Sequence, residues 1–386
     1  GDYAWVRISD VTTAGMYLSE TEQKLSTVGS SLSVKLQPGA LFLSIAATVG
    51  KPAITKIKCC IHDGFVYFPR FKGDPRFLFY VFASGEPYKG LGKLGTQLNL
   101  NTDTVGSIIV AFPGVSEQRA IADFLDAETA KLDKLVAKKR QLVEKLKEKR
   151  SALISRSVTR GLPPEAACAA GLNPNPKIKH SGIEWLGEIP EHWDVGKFSR
   201  EIRIAEGQVD PEVDPYVSML LIAPNHIEST SGRMLLKETA AEQGAESGKY
   251  LCRAGDVIYS KIRPALAKVT IAPEDCLCSA DMYPLNGSPR FENYYVYWLL
   301  LSQQFTAWSV LEAERVAMPK INRETLSELR MPVPPISEQR AIADYLDRET
   351  DKIDRMLAKV EEAIERLQEY RTALITAAVT GKIDVR

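Results

Sequence analysis

Apolar side chains return every seven residues at Leu346, Ile353, Val360, Leu367 and Leu374, with Met356, Leu357, Ala363 and Ile364 filling in between. Earlier in the chain Leu125, Leu132, Leu146 and Leu153 form a matching row, interrupted once at Lys139. Sustained seven-residue spacing lays one stripe along a helix and is the seam of a coiled coil. The polar frame predicts a helix around each stripe. Pro113-Gly114 and Pro334-Pro335 stop the preceding segments, Ser116 and Ser337 can cap, and Glu117 and Glu338 suit a first turn. Gly and Pro are then absent until Gly161 and Gly381, where a C-terminal glycine belongs. Each helix would extend ~66 Å at 1.5 Å per residue. A small break near Asp126 or Asp347 is compatible with the moderate helix propensity of Asp.

The two helices are copies. Ser116–Thr159 and Ser337–Thr380 align without a gap, and 25 of 44 positions are identical. Internal duplication is what such a pattern means. Two seams in one chain most simply pack on each other as an antiparallel pair. The segments ahead of the helices also correspond, more loosely. "LQPGALFLS" (36–44) faces "CRAGDVIYS" (252–260), Val11 falls opposite Ile227, and Gln97–Asn101 faces Met318–Asn322. Runs of strand type (41–45, 60–68, 257–260, 269–271) mix with helical ones, so each segment is a mixed α and β domain. The stretch 176–216 has no counterpart ahead of Gly1, which suggests a first domain truncated at its N-terminus. "RGLPPEAACAAGLNPNPKIKHSG" (160–182) has the Pro, Gly and Ala of a linker.

A chain of 386 residues, 45% hydrophobic and 25% charged, has the makeup of a globular protein of two or more domains. No apolar run approaches the ~20 residues that span a bilayer. Six cysteines without a CxxC pair and only four histidines exclude zinc-site spacing. They read as reduced cysteines of a cytoplasmic protein. Net charge is zero but uneven: 11 basic and 8 acidic groups in 1–115, 12 and 7 in 116–160, 17 and 23 in 161–337, 9 and 11 in 338–386. A nucleic-acid ligand would therefore need its basic groups concentrated on one face, or charge added by partners.

The arrangement resembles the DNA-specificity subunit of type I restriction–modification systems. The resemblance rests on "GIEWLGEIPEHWDV" (182–195), the SEQRAIAD helix starts after Pro113 and Pro334, "SALISRSVTRGL" (151–162) and the closing "ALITAAVTGKIDVR" (373–386). It implies an α+β architecture: two mixed α/β target recognition domains separated by two long helices forming an antiparallel coiled coil, pseudo-two-fold symmetric. In chain order this gives a first recognition domain at 1–115, a spacer helix at 116–160, a linker at 161–180, a second recognition domain at 181–336 and a second spacer helix at 337–386. The resemblance further implies double-stranded DNA as ligand, and two modification (methyltransferase) subunits and restriction (motor-nuclease) subunits as partners. It implies no catalysis and no cofactor in this chain. S-adenosylmethionine would sit in the modification subunit, and ATP and magnesium in the restriction subunit.

The residues agree with a non-enzyme. "DPY" at 214–216 lacks the second proline of an amino-methyltransferase [DN]PP[YF] motif, and no GxxxxGK[ST] loop exists to hold ATP phosphates. "GLGKLG" (90–95) lacks a strand–helix context and reads as a loop. His62–Asp63 has no nucleophile tied to it and reads as a structural pair. Phosphate and base-edge contacts need Arg, Lys, Asn, Gln and Thr on loops. The candidates in the first domain are Arg7, Lys51, Lys93, Thr96, Gln97 and Asn99. In the second they are Lys261, Arg263, Lys268, Arg315, Lys320, Asn322 and Arg323. The basic face of the first helix (Lys138, Lys139, Arg140, Lys145, Lys147, Lys149 and Arg150) either contacts DNA or balances Glu361, Glu362, Glu365 and Glu369 of the second across the seam. Two competing readings are a coiled-coil scaffold that never touches DNA and the recognition end of a longer fused enzyme.

If the helices act as a ruler between two half-sites, deleting one or two heptads from both changes the spacer of the DNA target and leaves the half-sites intact. A methylation-site map of such a deletion is the check. An unchanged spacer removes the ruler.

Overall fold

The computed structural model describes residues 3–91, 100–313 and 319–385. The chain divides into two compact units, Gly1–Leu142 with Lys359–Arg386, and Val143–Ala358. The two long helices, Val115–Arg160 and Ile336–Val379, each contribute to both units. Compact units therefore do not follow chain order, because each helix changes its packing partners near its middle. Neither helix breaks at Asp126 or Asp347. The stretch expected as a linker is folded instead: it holds a helix at Pro164–Ala169, and Leu162 and Ala167 join the core of the second unit. Its prolines start the short helix, and its alanines are small enough to pack.

The first unit has two four-stranded mixed sheets. In one, Tyr3–Trp5 lies between Gln23–Leu25 (antiparallel) and Cys59–Ile61 (parallel), with Val34–Leu36 beyond. In the other the order is Tyr17–Leu18, Pro52–Thr55, Leu41–Ser44 and Phe65–Tyr67. The helix Pro75–Ala83 starts at Asp74, whose side chain accepts from the Arg76 amide, and has proline in its first turn. Phe77 to Phe82 are all buried in this helix. A helix apolar on every side must be covered on every side. Leu43 and Ile54 of the sheet share its cluster with Leu125 and Ile375 of the long helices.

The second unit repeats this plan. Leu221–Ile222 runs parallel to Cys276–Cys278, as Tyr3–Trp5 does to Cys59–Ile61. Val257–Ser260 sits between Val269–Ile271 and Met282–Gly287, and the helix Asn293–Leu301 covers that sheet. "GIEWLGEIPEHWDV" supplies Ile183, Leu186, Ile189 and the fully buried Trp193 to the same core.

One side chain joins each short helix to its long helix. Gln118 accepts from the Asp74 amide at 2.9 Å and donates to the Pro113 carbonyl at 2.8 Å. Gln339, 221 residues later, accepts from the Glu292 amide at 2.9 Å and donates to the Pro334 carbonyl at 2.8 Å. Asp126 accepts from the Tyr80 hydroxyl at 2.7 Å, and its counterpart Asp347 accepts from the Trp298 indole at 3.0 Å. Burial pushes the Asp347 carboxyl above the usual carboxylate range, against the Trp298 hydrogen bond.

Within each unit the long helices run antiparallel. In the second, Arg150 donates to Asp354 at 2.9 Å while Gly161 lies against Glu338. In the first, Arg371 donates to Asp133 at 2.9 Å while Ile375 and Ala378 pack with Ile121 and Leu125. Asp133 and Arg150 are the duplicates of Asp354 and Arg371. Each helix thus gives its arginine to the other's aspartate, and the duplicated pair recurs once in each unit.

Of the predicted seam, Leu125, Leu346 and Ile353 are buried, and Leu132, Leu146, Leu153, Val360, Leu367 and Leu374 are half-buried. Met356, expected to fill in beside them, is 53% exposed. A second seven-residue row is buried in the first helix: Thr129, Val136, Val143, Arg150 and Ser157. Three of those five are polar, so apolar spacing alone does not reveal them. Thr129 satisfies its hydroxyl on the Leu125 carbonyl at 2.6 Å.

The arginine pair yields a graded prediction. Arg150 is 10% exposed and also donates to the Thr230 and Ser231 carbonyls, whereas Arg371 is 35% exposed and pairs in the open. Arg150→Ala is expected to cost about 1–3 kcal/mol, since it removes a buried guanidinium with its charged hydrogen bond to Asp354 and its packing over Trp298. Arg371→Ala is expected to cost under about 1 kcal/mol. Urea unfolding of the two variants checks the order.

Candidate nucleic-acid interface

Two loops of the second unit are stitched together by their backbones. Beyond Ser260 the chain leaves its strand, and the Ile321 amide donates to the Lys261 carbonyl at 2.8 Å. Ile262 bridges Lys320, and the Arg263 amide donates to the Pro319 carbonyl at 3.4 Å. The loops "YSKIRPALAK" and "PKINRE", far apart in sequence, therefore present one surface. Lys261, Arg263, Lys320, Asn322 and Arg323 come together on it.

Their side chains do different things. Arg323 lies over the rings of Tyr250 and Tyr283, 5.5 and 5.1 Å from their centroids, and donates to the Ile204 and Ala205 carbonyls. A guanidinium on two aromatic faces is held in one place. Burial raises the Tyr283 hydroxyl above its ordinary range, and the nearby Arg323 charge opposes that rise. Lys261 lies over the other part of the same platform, 5.3 Å from the Tyr283 centroid, and donates to the Ala280 carbonyl at 2.6 Å. Asn322 caps the helix Arg323–Glu328, accepting from the Thr325 amide at 2.7 Å, so its carbonyl oxygen is engaged within the fold. Lys268 is turned away and donates to the Pro224 carbonyl at 2.6 Å. Arg263 and Lys320 are exposed and have no charged partner among the described residues. Arg263 adopts a left-handed backbone (φ +49°) at the start of the turn Pro264–Leu266.

Beside Arg323 opens a cleft of about 510 Å³ whose lining includes Arg200, Arg203 and Asn286. Sequence reading passed over Arg200 and Arg203, because one lies in a short helix and the other on a strand rather than in a cation-rich loop. Their only signal was "FSREIRI" (198–204), an alternation of charge with no turn residue.

In the first unit the described candidates are engaged within the protein. Arg7 pairs with Glu22 and Asp10 at the start of the helix Ile8–Thr13, and Lys51 donates to the Thr12 carbonyl at 2.6 Å. Lys93, Thr96, Gln97 and Asn99, like Arg315 of the second unit, lie outside the described residues. Asn101, the duplicate of Asn322, caps its helix with the same 2.7 Å bond. His62 is a structural residue: its Nδ1 accepts from the Gly64 amide at 2.9 Å, and its ring packs against Trp5 and Phe65. Among the described residues no group of His, Cys, Asp or Glu is placed to hold a metal ion. No described helix is long and apolar enough to cross a membrane.

Two mixed sheet units, duplicated with their long helices and joined to them through matched glutamines, define a two-module architecture. The family model for the type I restriction modification DNA specificity domain matches residues 1–145 and 194–366, and the chain belongs to that family. It is 33% identical over 300 residues to the type I restriction enzyme EcoDI specificity subunit of Escherichia coli, covering 76% of this chain and 66% of that one. Over 332 residues it is 22% identical to the MjaVIII specificity subunit of Methanocaldococcus jannaschii, covering 81% and 71%. The match therefore spans about two thirds of these curated relatives. A solved chain from work on assembly and conformational transition of the type I R-M system shares the fold, with a TM-score of 0.72 at 15% identity, covering 98% of this chain and 91% of that one. The HsdS subunit from Thermoanaerobacter tengcongensis does so with a TM-score of 0.54 at 15% identity, over 99% and 91%.

Proposed function

We propose that this chain is the DNA-specificity subunit of a type I restriction–modification complex. It has no catalysis of its own, recognises a bipartite double-stranded DNA target, and directs adenine methylation and restriction by partner subunits. The observation that carries this reading is that a DNA-specificity family model matches both halves of an internally duplicated fold. One unit then meets each half of the target. The same match argues against a scaffold that never touches DNA. Two modification subunits bind it and supply S-adenosylmethionine, and restriction subunits supply ATP and magnesium chemistry, all in the cytoplasm. This chain itself binds no cofactor.

In the second unit Arg263 and Lys320 make the DNA contacts, and Arg323, whose fork is held by the Ile204 and Ala205 carbonyls on its tyrosine platform, orders the loop from which they project. Lys261 holds the platform, and Asn322 offers the DNA its amide protons. Arg315, Lys93, Thr96, Gln97 and Asn99 extend the same reading to the neighbouring loop and to the first unit.

Adenine-methylome sequencing of cells that carry this gene with its modification partner tests the function. A split methylation motif that disappears on deletion of the gene is expected. A partner complex that assembles but yields no motif refutes it. For the interface, the double variant Arg263→Ala with Lys320→Ala is expected to weaken DNA binding and flatten the plot of log affinity against log salt. The slope should change by about 0.9 for each phosphate no longer neutralised. Fluorescence anisotropy across a salt series measures it.

A further inference from the structure

The two units build the same parts, so a place filled in one and open in the other says what the open place accepts. In the second unit the loop Glu228–Arg233 closes on itself, its ends joined by the Glu228 amide on the Arg233 carbonyl at 2.8 Å. Two groups grip its tip. Arg150 donates to the Thr230 and Ser231 carbonyls at 3.1 and 3.3 Å, and the Tyr297 hydroxyl donates to the Ser231 carbonyl at 3.0 Å. Gly232, at φ +75°, is packed so closely that a Cβ would collide with the Tyr297 hydroxyl oxygen. Only glycine fits there.

The duplicates in the first unit are Arg371 and Phe79, and by the pairing of Val11 with Ile227 the turn Ala14-Gly15-Met16 stands opposite Thr230-Ser231-Gly232. Gly15 of that turn has a positive φ, but nothing lies within 4 Å of where its Cβ would be. Phe79 has no hydroxyl with which to hold a carbonyl. Arg371 donates to Asp133 at 2.9 and 3.4 Å, and among the described residues its guanidinium has no carbonyl partner corresponding to Thr230 or Ser231. Where the second unit is packed, the first has a cleft of about 780 Å³ lined by Tyr17, Phe79, Phe82 and Tyr88 together with Lys51 and Arg371.

We propose that this cleft docks a loop of a partner polypeptide, a glycine-containing turn that presents two successive main-chain carbonyls to Arg371. The occupant's chemistry is read from the second unit, which fills the same place with such a turn. The charged lining of the cleft is balanced: Lys51 and Arg371 stand against Asp126 and Asp133, and Arg371 is already paired with Asp133, so its remaining donors suit neutral carbonyls rather than a second carboxylate or a phosphate. The aromatic walls supply the buried surface that a few hydrogen bonds alone would not.

The probe is a head-to-tail cyclic peptide of residues 228–233, labelled and titrated into the full chain by fluorescence anisotropy. Cyclisation keeps the turn because the ends already meet, and it lowers the ordering cost of binding. Saturable binding is expected. Arg371→Lys, which keeps the charge beside Asp133 but loses the fork, should weaken it at least tenfold. Ala83→Phe, which fills the cleft without touching the ion pair, should weaken it as much, with circular dichroism confirming that both variants fold. No saturation at millimolar peptide, binding that survives both variants, or equal competition by inorganic phosphate would each overturn the proposal.

Discussion

A buried glutamine amide has an acceptor and two donors to satisfy, and Gln118 and Gln339 satisfy them across the joint between two elements. Each accepts from the backbone at the start of a short buried helix and donates to the proline carbonyl just ahead of its own long helix. Leaving either end unpaired would cost the desolvation of a buried polar group. The joint therefore fixes the direction in which each sheet unit meets its helix, and it does so twice with the same distances. The pairings farther along the helices depend on that start: Asp126 and Asp347 two turns on, then the Asp–Arg exchange.

Symmetry in this chain is chemical before it is geometric. The duplicated Asp133 and Arg150 pair with Arg371 and Asp354, so a single ancestral helix carrying both groups can pair with its own copy. Differences between the halves are small substitutions with large local results. Tyr297 against Phe79 is one hydroxyl, and with it goes the grip on a turn and the packing around an arginine. Trp298 against Tyr80 changes the donor but keeps the bond to the aspartate.

The surface assigned to DNA shows a division of labour among cations. Arg323 and Lys261 sit on aromatic rings and carbonyls, which orders them before any ligand arrives. Arg263 and Lys320 have no charged partner among the described residues. Under the proposed reading, cations ordered on the fold beside unpaired ones give a chain of zero net charge a local positive face for a polyanion.

The sequence by itself determined the two helices, their duplication, the mixed character of the units and the family, because these rest on local periodicity and on residue identity over long stretches. Leu125, Leu346 and Ile353 were legible as core from spacing alone. The second buried row was not, since Thr129, Arg150 and Ser157 are polar and their burial depends on partners distant in the chain. Among the loop cations the sequence could say which were present but not which were engaged. Arg7, Lys51, Lys268, Arg323 and the Asn322 carbonyl turn inward to protein groups, while Arg200 and Arg203 line the cleft beside Arg323 from elements without a loop signature. Only tertiary structure decides whether a polar side chain finds its partner within the fold or leaves it for a ligand, because that choice is made by whatever distant backbone lies within hydrogen-bond reach.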